Sequence, residues 1–155
     1  MNRLEQMMDD YSDLTFNFKN DMHDKHGAFL FGTDIYINSK QPYEQKTGYL
    51  AEEIGHHETS VGDISTLDTI EKCQQERRAR QWGYRYLVSL DDLIVCQKFG
   101  LTEYWEIAEF LELTTDYLWK SINYYKESKG ITFQHTGCQF VFGIADSLKI
   151  IFPSD

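Results

Sequence analysis

A polar stretch at residues 50–58, LAEEIGHHE, combines glutamates and histidines at a spacing that suits metal chemistry. On a helix, side chains four residues apart share a face, so Glu52 and His56 point to one place. Glu53 and His57 form a second such pair beside the first. The stretch therefore poses a choice between a metal-binding helix and a polar surface helix that happens to carry two histidines.

The pattern differs at one position from the HExxH signature of zinc peptidases. In that signature two histidines bind the metal, and the glutamate after the first histidine polarises the attacking water. Here the frame runs Glu52-Glu53-Ile54-Gly55-His56, so a glutamate replaces the first histidine. A carboxylate oxygen also binds zinc, and an oxygen-rich ligand set suits harder divalent metals as well. The frame predicts Glu52 and His56 as ligands and Glu53 as general base.

A third protein ligand is needed if the metal is to keep one position open for water. Glu76, in the segment QERRARQWG, is the best candidate. Glu76, Ala79 and Gly83 fall on one stripe of a predicted helix, where small residues would let two helices approach closely. Asp63, in the intervening loop, and His57 are weaker alternatives.

The same residues also fit a purely structural role. An incomplete HExxH is a weak pattern, and histidines near the C-terminal end of a solvated helix interact favourably with its dipole. Glu76 could equally form an ion pair with Arg80, four residues later. His23, His26 and His135 are expected in surface or loop positions. His26 and His135 would lie near the site only if the strands packed beside it, which we do not expect.

The elements that must position these residues follow from the spacing of apolar side chains and from the turn residues between them. In the first half we predict a helix over 1–14, two short antiparallel strands within 28–38, a helix from Pro42 to Thr59, a loop over 60–68, and a long helix from Thr69 through Leu87. In the second half we predict a helix over 90–99 capped by Ser89 and Asp92 and stopped by Gly100, two helices within 101–129 with Thr102 and Thr114 as N-caps, and a β-like tail with turns at 136–137 and around Asp146. These elements predict a mixed α+β fold.

The composition limits the class of protein. Hydrophobic residues make up 41% of the 155 residues and aromatic residues 15%, enough to build a buried core. The net charge of -10 argues against nucleic-acid binding, which needs clustered Lys and Arg. Three widely spaced cysteines indicate a reducing compartment, and no signal peptide or membrane-spanning run is recognised. We expect a cytoplasmic protein without membrane or nucleic-acid partners.

Residues 102–126 have the residue pattern of a helix-turn-helix, so a DNA-binding regulator is a rival function. The first of the two helices, however, carries Glu103, Glu106, Glu109 and Glu112. These negative charges would repel the phosphates of DNA. The sequence therefore favours a scaffold or protein-docking role for this pair and disfavours DNA binding.

Three segments occur in this order: TGYLAEEIGHHETSVGDI, QERRARQWGYRYLVSLDDL and TEYWEIAEFLELTTDYL. Together they resemble the ImmA/IrrE family of metallo-endopeptidases, in particular short versions carried by prophages of Gram-positive bacteria. The resemblance covers about residues 25–130 and is best marked in the AEEIGHH helix and the E-x-x-A-x-x-W-G helix. It implies a single zincin-like, mostly helical domain over 1–155, with a zincin-like part over about 1–88, a helical part over about 89–130 and a β-rich tail over 131–155.

Carried over residue by residue, the resemblance implies that Glu53 is catalytic and that zinc is held by His56, Glu76 and Glu52. The chain departs from the family at Glu52, where the family has its first histidine. The family's activity implies cleavage of a helix-turn-helix repressor, which releases a phage or mobile element from repression. The alternative is a catalytically inactive relative that binds the repressor as an antirepressor or interaction module.

Overall fold

The computed structural model describes residues 1–60, 68–143 and 147–154 of the chain. Helices and short sheets are mixed along these residues, which confirms the α+β class. The chain divides into two compact units, Met1–Gly83 and Tyr84–Asp155. In chain order the elements are α1 (Arg3–Asp10), β1 (Thr15–Lys19), β2 (Ala28–Phe31), β3 (Asp34–Asn38), α2 (Tyr43–Thr59), α3 (Thr69–Leu87), α4 (Leu90–Lys98), α5 (Tyr104–Phe110), α6 (Thr115–Lys129), β4 (Thr132–His135), β5 (Cys138–Phe142) and β6 (Leu148–Ile151).

The sheet of the first unit has the strand order β1-β3-β2. β2 and β3 pair antiparallel across the turn at Gly32, as predicted. β1 pairs parallel with β3, so the sheet is mixed, and this strand was not predicted. A parallel neighbour cannot be joined by a tight turn, so no local turn signal marks it. The central strand buries Ile35 and Ile37 completely, and β2 lies at an edge of the sheet.

α1 is shorter than the helix predicted over residues 1–14. Its N-terminus has a capping box, in which the Asn2 side chain accepts the N–H of Glu5 at 2.8 Å. The helix ends at Asp10, yet Leu14 is only 5% exposed. In the sequence, the helical spacing of apolar residues extends to Leu14. The helix itself ends earlier, because Leu14 reaches the core from the turn that follows α1.

α2 and α3 begin and end where the sequence predicts, and they approach each other at small residues. A Cβ added at Gly55 would overlap the backbone carbonyl of Ala79. Ala79 is fully buried, and Gly83 is buried one turn later. The predicted close approach along the Glu76 stripe is confirmed, with Gly55 as its counterpart on α2.

The second unit contains α4, α5, α6 and an antiparallel sheet in the order β4-β5-β6. Every second side chain of β5 is buried, and Phe140 is completely so. The predicted turn at 136–137 is present, with positive φ angles of 50° at Thr136 and 81° at Gly137. The turn predicted around Asp146 lies outside the described residues.

Two of the predicted helix caps in this unit are present. The side chain of Ser89 accepts the N–H of Asp92 at 3.0 Å, and that of Thr114 accepts the N–H of Tyr117 at 3.0 Å. Gly100 follows α4 with a φ of 77°, the left-handed conformation that ends many helices. These local signals therefore place α4 and α6 correctly.

The prediction that Thr102 caps the next helix is wrong. α5 begins at Tyr104, and Glu103 is the N-cap residue. The carbonyl of Thr102 instead accepts the N–H of Leu148 at 2.9 Å. A backbone contact with a strand distant in sequence therefore moves the helix start by one residue.

Among the described residues, no helix is both long enough and apolar enough to cross a membrane.

Candidate metal centre

Three side chains from two helices meet in the first unit. Glu52 and His56 extend from α2 and Glu76 from α3, and one ligand atom of each lies within 4.8 Å of the other two. His56 Nε2 and Glu76 Oε2 are 3.3 Å apart. This Glu52-His56-Glu76 cluster could hold a metal ion, and it joins the three residues that the sequence predicted as ligands.

Local and tertiary geometry each contribute part of the cluster. Glu52 and His56 share a face because they are four residues apart on α2. Glu76 reaches them because Gly55 allows α3 to pack with Ala79 against the backbone of α2. A larger side chain at Gly55 would push Glu76 away from its partners.

The donor set fits a divalent metal. Ligand atoms bound tetrahedrally at about 2.1 Å lie roughly 3.4 Å from one another, close to the distance between His56 and Glu76. The three groups have intermediate burial, so solvent can reach the cluster. One imidazole and two carboxylates suit zinc and also harder divalent ions. His56 Nδ1 is buried without a hydrogen-bond partner among the described residues, so a partner that would orient the ring is not seen there.

Arg80 supplies positive charge to the same cluster. Its Nε lies 3.4 Å from Glu52 Oε1, and its Nη2 lies 3.9 Å from Glu76 Oε2. The second pair is the ion pair that the sequence offered as a structural role for Glu76. Burial raises the pKa of the Glu52 carboxyl above its usual value, and Arg80 offsets part of this increase.

Glu53 lies beside the cluster and is not one of its three members. Burial raises the pKa of its carboxyl to about 8, with further contributions from the negative charges of Glu52 and Glu76. A hydrogen bond with the backbone of Leu30 in β2 acts in the opposite direction. Glu53 is thus a carboxyl that binds a proton near neutral pH, as a general acid or base must.

A cavity of about 370 Å³ opens beside Glu52 and Glu53. Its other lining residues are Tyr49 and the run from Lys25 to Phe29. The sequence did not predict this part of the site, because residues 25–27 lie in a loop with no recognisable motif. His26 is an exposed loop residue as predicted, and it lines the same cavity as Glu52 and Glu53.

Of the two weaker ligand candidates, His57 is not a member of the cluster. His57 Nε2 lies 3.8 Å from Asp13 Oδ2, on a different face of α2. Asp63 lies outside the described residues. His23 contacts the ring of His26, while His135 belongs to the second unit and lies 3.0 Å from Asp91.

No protein-family model matches this chain, and no curated protein matches it. The resemblance to the ImmA/IrrE family therefore stays a prediction that rests on the motifs quoted above.

Proposed function

We propose that this protein is a cytoplasmic, zinc-dependent endopeptidase of the ImmA/IrrE type. The observation that carries the proposal is the meeting of Glu52, His56 and Glu76, with Glu53 next to them. Three protein ligands with an open side and an adjacent carboxylate are the constellation that metal-assisted peptide hydrolysis requires. The zincin-like character of the first unit belongs to the same proposal.

The chemistry divides between the metal and the chain. When bound, a divalent ion makes water more acidic and polarises the scissile carbonyl. Glu53 accepts the proton of the attacking water as the new C–O bond forms. It then passes that proton to the amine that leaves when the C–N bond breaks. His56, Glu76 and Glu52 hold the metal and do not exchange protons with the substrate.

The cavity supports a peptide substrate. Lys25, His26 and Tyr49 line it, and their side chains carry N–H and O–H donors of the kind that bind carbonyl oxygens of a peptide. β2 forms an edge of its sheet, and Ala28 and Phe29 of this strand line the cavity. An extended segment can pair with such an edge through backbone hydrogen bonds.

The substrate in this proposal is a helix-turn-helix repressor of a phage or mobile element. Its identity rests on the resemblance of the three quoted segments to the ImmA/IrrE family. Cleavage would relieve repression, so the activity is regulatory rather than digestive.

A second function is favoured by one observation. Arg80 already pairs with Glu52 and Glu76, so the cluster has a counter-charge without a metal. In this alternative the protein is a catalytically inactive antirepressor or interaction module that binds the repressor. A DNA-binding regulator is disfavoured by the net charge of -10 and the glutamates of α5.

The first experiment measures the zinc content of untagged protein by elemental analysis, before and after incubation with zinc at neutral pH. About one zinc per chain is expected in the wild type, with loss in His56→Ala. His57→Ala is the matched control, because His57 is adjacent in sequence but pairs with Asp13. Wild-type protein that takes up no zinc would overturn the peptidase proposal.

Glu52→His, which restores the HExxH frame, distinguishes the two functions. Zinc in this variant but not in the wild type would favour the inactive module. Zinc in both proteins, together with cleavage of a co-expressed repressor that Glu53→Gln abolishes, would support the peptidase. A stable complex with intact repressor that survives chelation would support the antirepressor.

A further inference from the structure

We propose that Arg80 is a built-in competitor for the Glu52-His56-Glu76 cluster, and that a divalent metal binds there by displacing its guanidinium group. This inference concerns the regulation of the proposed metal site and therefore rests on the proposed function. Arg80, which is not itself a ligand, would thereby set how tightly the cluster binds a metal.

The contacts of Arg80 reach the atoms that a metal would need. Glu76 Oε2 is the oxygen that faces His56 Nε2 at 3.3 Å, and the same oxygen lies 3.9 Å from Arg80 Nη2. Arg80 also reaches across to α2, where its Nε lies 3.4 Å from Glu52 Oε1. One guanidinium therefore links the two carboxylates of the cluster.

Charge explains why a cation belongs there. Glu52 and Glu76 offer oxygens within 4.8 Å of each other, and Glu53 adds a third carboxyl nearby. Like charges at that separation repel unless a cation or a proton offsets them. Arg80 supplies one positive charge, whereas a divalent metal supplies two and bonds to the oxygens directly. The two cations therefore compete for the same pair of carboxylates.

Exposure explains why the competition is limited. The Arg80 side chain is 55% exposed, so its guanidinium can leave the two carboxylates and stay solvated by water. Exposed ion pairs contribute little to stability, typically up to about 1 kcal/mol each. Arg80 therefore weakens metal binding without closing the site. Release of its two ion pairs corresponds to a factor of roughly five to thirty in metal affinity.

The test is calorimetric titration of zinc into metal-free wild type and metal-free Arg80→Gln. The variant is expected to bind zinc about five- to thirtyfold more tightly. Arg78→Gln is the matched control, because it removes the same charge from an exposed position of α3 outside the cluster. Its zinc affinity is expected to change less than about twofold.

Denaturant unfolding gives a second readout that does not depend on activity. Without metal, Arg80→Gln should unfold at lower denaturant concentration than Arg78→Gln, because the carboxylates lose their counter-charge. With saturating zinc, this difference should disappear, because the tighter zinc binding of Arg80→Gln offsets the two ion pairs that it lacks. A stability difference that saturating zinc abolishes requires one cation to replace the other.

The outcomes separate this inference from the proposed function. If the wild type binds zinc and Arg80→Gln binds it equally or less tightly, the competition is overturned and the metal site stands. If zinc binds only after Arg80 is replaced, the competition is supported and wild-type catalysis is not. If neither protein binds zinc, both proposals fail.

Discussion

At the scale of single residues, the site is characterised by how positive groups balance its negative charges. Three carboxyl groups, Glu52, Glu53 and Glu76, lie close to one imidazole and one guanidinium. Each carboxyl would be unremarkable in water, but partial burial makes the charge of Glu52 and Glu53 costly. The sequence predicted the residue types of this site. It offered Arg80 only as a partner of Glu76, because its contact with Glu52 crosses between helices.

Glu53→Gln should change how the stability of the metal-free protein depends on pH. Because burial raises the pKa of Glu53 from 4.5 to about 8, the folded state binds this proton more tightly than the unfolded state. The stabilisation is fully present below pH 4.5 and is lost as pH rises to about 8. The neutral glutamine avoids this loss, so the variant should gain stability over the wild type across that range.

The expected gain is about 1–3 kcal/mol at pH 8.5, below the full pKa shift because the side chain is partly exposed. Urea unfolding in the presence of a chelator at pH 4.5, 6.5 and 8.5 measures it. Glu58→Gln, an exposed change on the same helix, is the control and should show no such trend. An equal difference between Glu53→Gln and the wild type at all three pH values would contradict the explanation.

At the scale of elements, the cluster depends on how closely α3 lies against α2. The helix bounds of both were predicted, because proline, small polar residues and apolar spacing are local signals. The distance between the helices is not local, and it depends on a glycine opposite an alanine. The missed strand β1 illustrates the same limit, since its partner β3 is reached only after β2.

Gly55→Ala should separate α2 from α3. The added methyl would overlap the backbone carbonyl of Ala79, which cannot move as a flexible side chain would. Overpacking of this kind costs about 1–3 kcal/mol, despite the higher helix propensity of alanine. Denaturant unfolding measures the loss, and zinc titration should show weaker binding as Glu76 is displaced.

The control for this change is Gln45→Ala, at an exposed position of the same helix. Its stability should stay within about 0.5 kcal/mol of the wild type. If Gly55→Ala proves as stable as this control and binds zinc normally, the close approach does not position Glu76.

At the scale of the whole molecule, net charge predicts which classes of partner are disfavoured. The chain has 25 acidic and 15 basic side chains, which gives the net charge of -10. A surface with this excess favours basic partners and repels phosphates. This conclusion needs no structure, because net charge depends only on composition and pH.

We expect no binding to duplex DNA, even at low salt. A mobility-shift assay with a duplex of about 30 base pairs at about 50 mM salt tests this, since weak electrostatic binding is strongest there. A helix-turn-helix protein of known DNA affinity serves as the positive control. A complex that forms at low salt and disappears as salt rises would return the DNA-binding regulator to consideration.

The sequence by itself determined the α+β class, the bounds of α2 and α3, the N-caps of α4 and α6, and the pairing of Glu52 with His56 on one face. These features depend on residues a few positions apart, so local spacing and turn chemistry are enough to predict them. Only the tertiary structure brought Arg80 to Glu52 and placed the loop from Lys25 to Gly27 beside Glu53. Contacts between distant segments arise from the packing of the folded chain, which single-segment patterns do not encode.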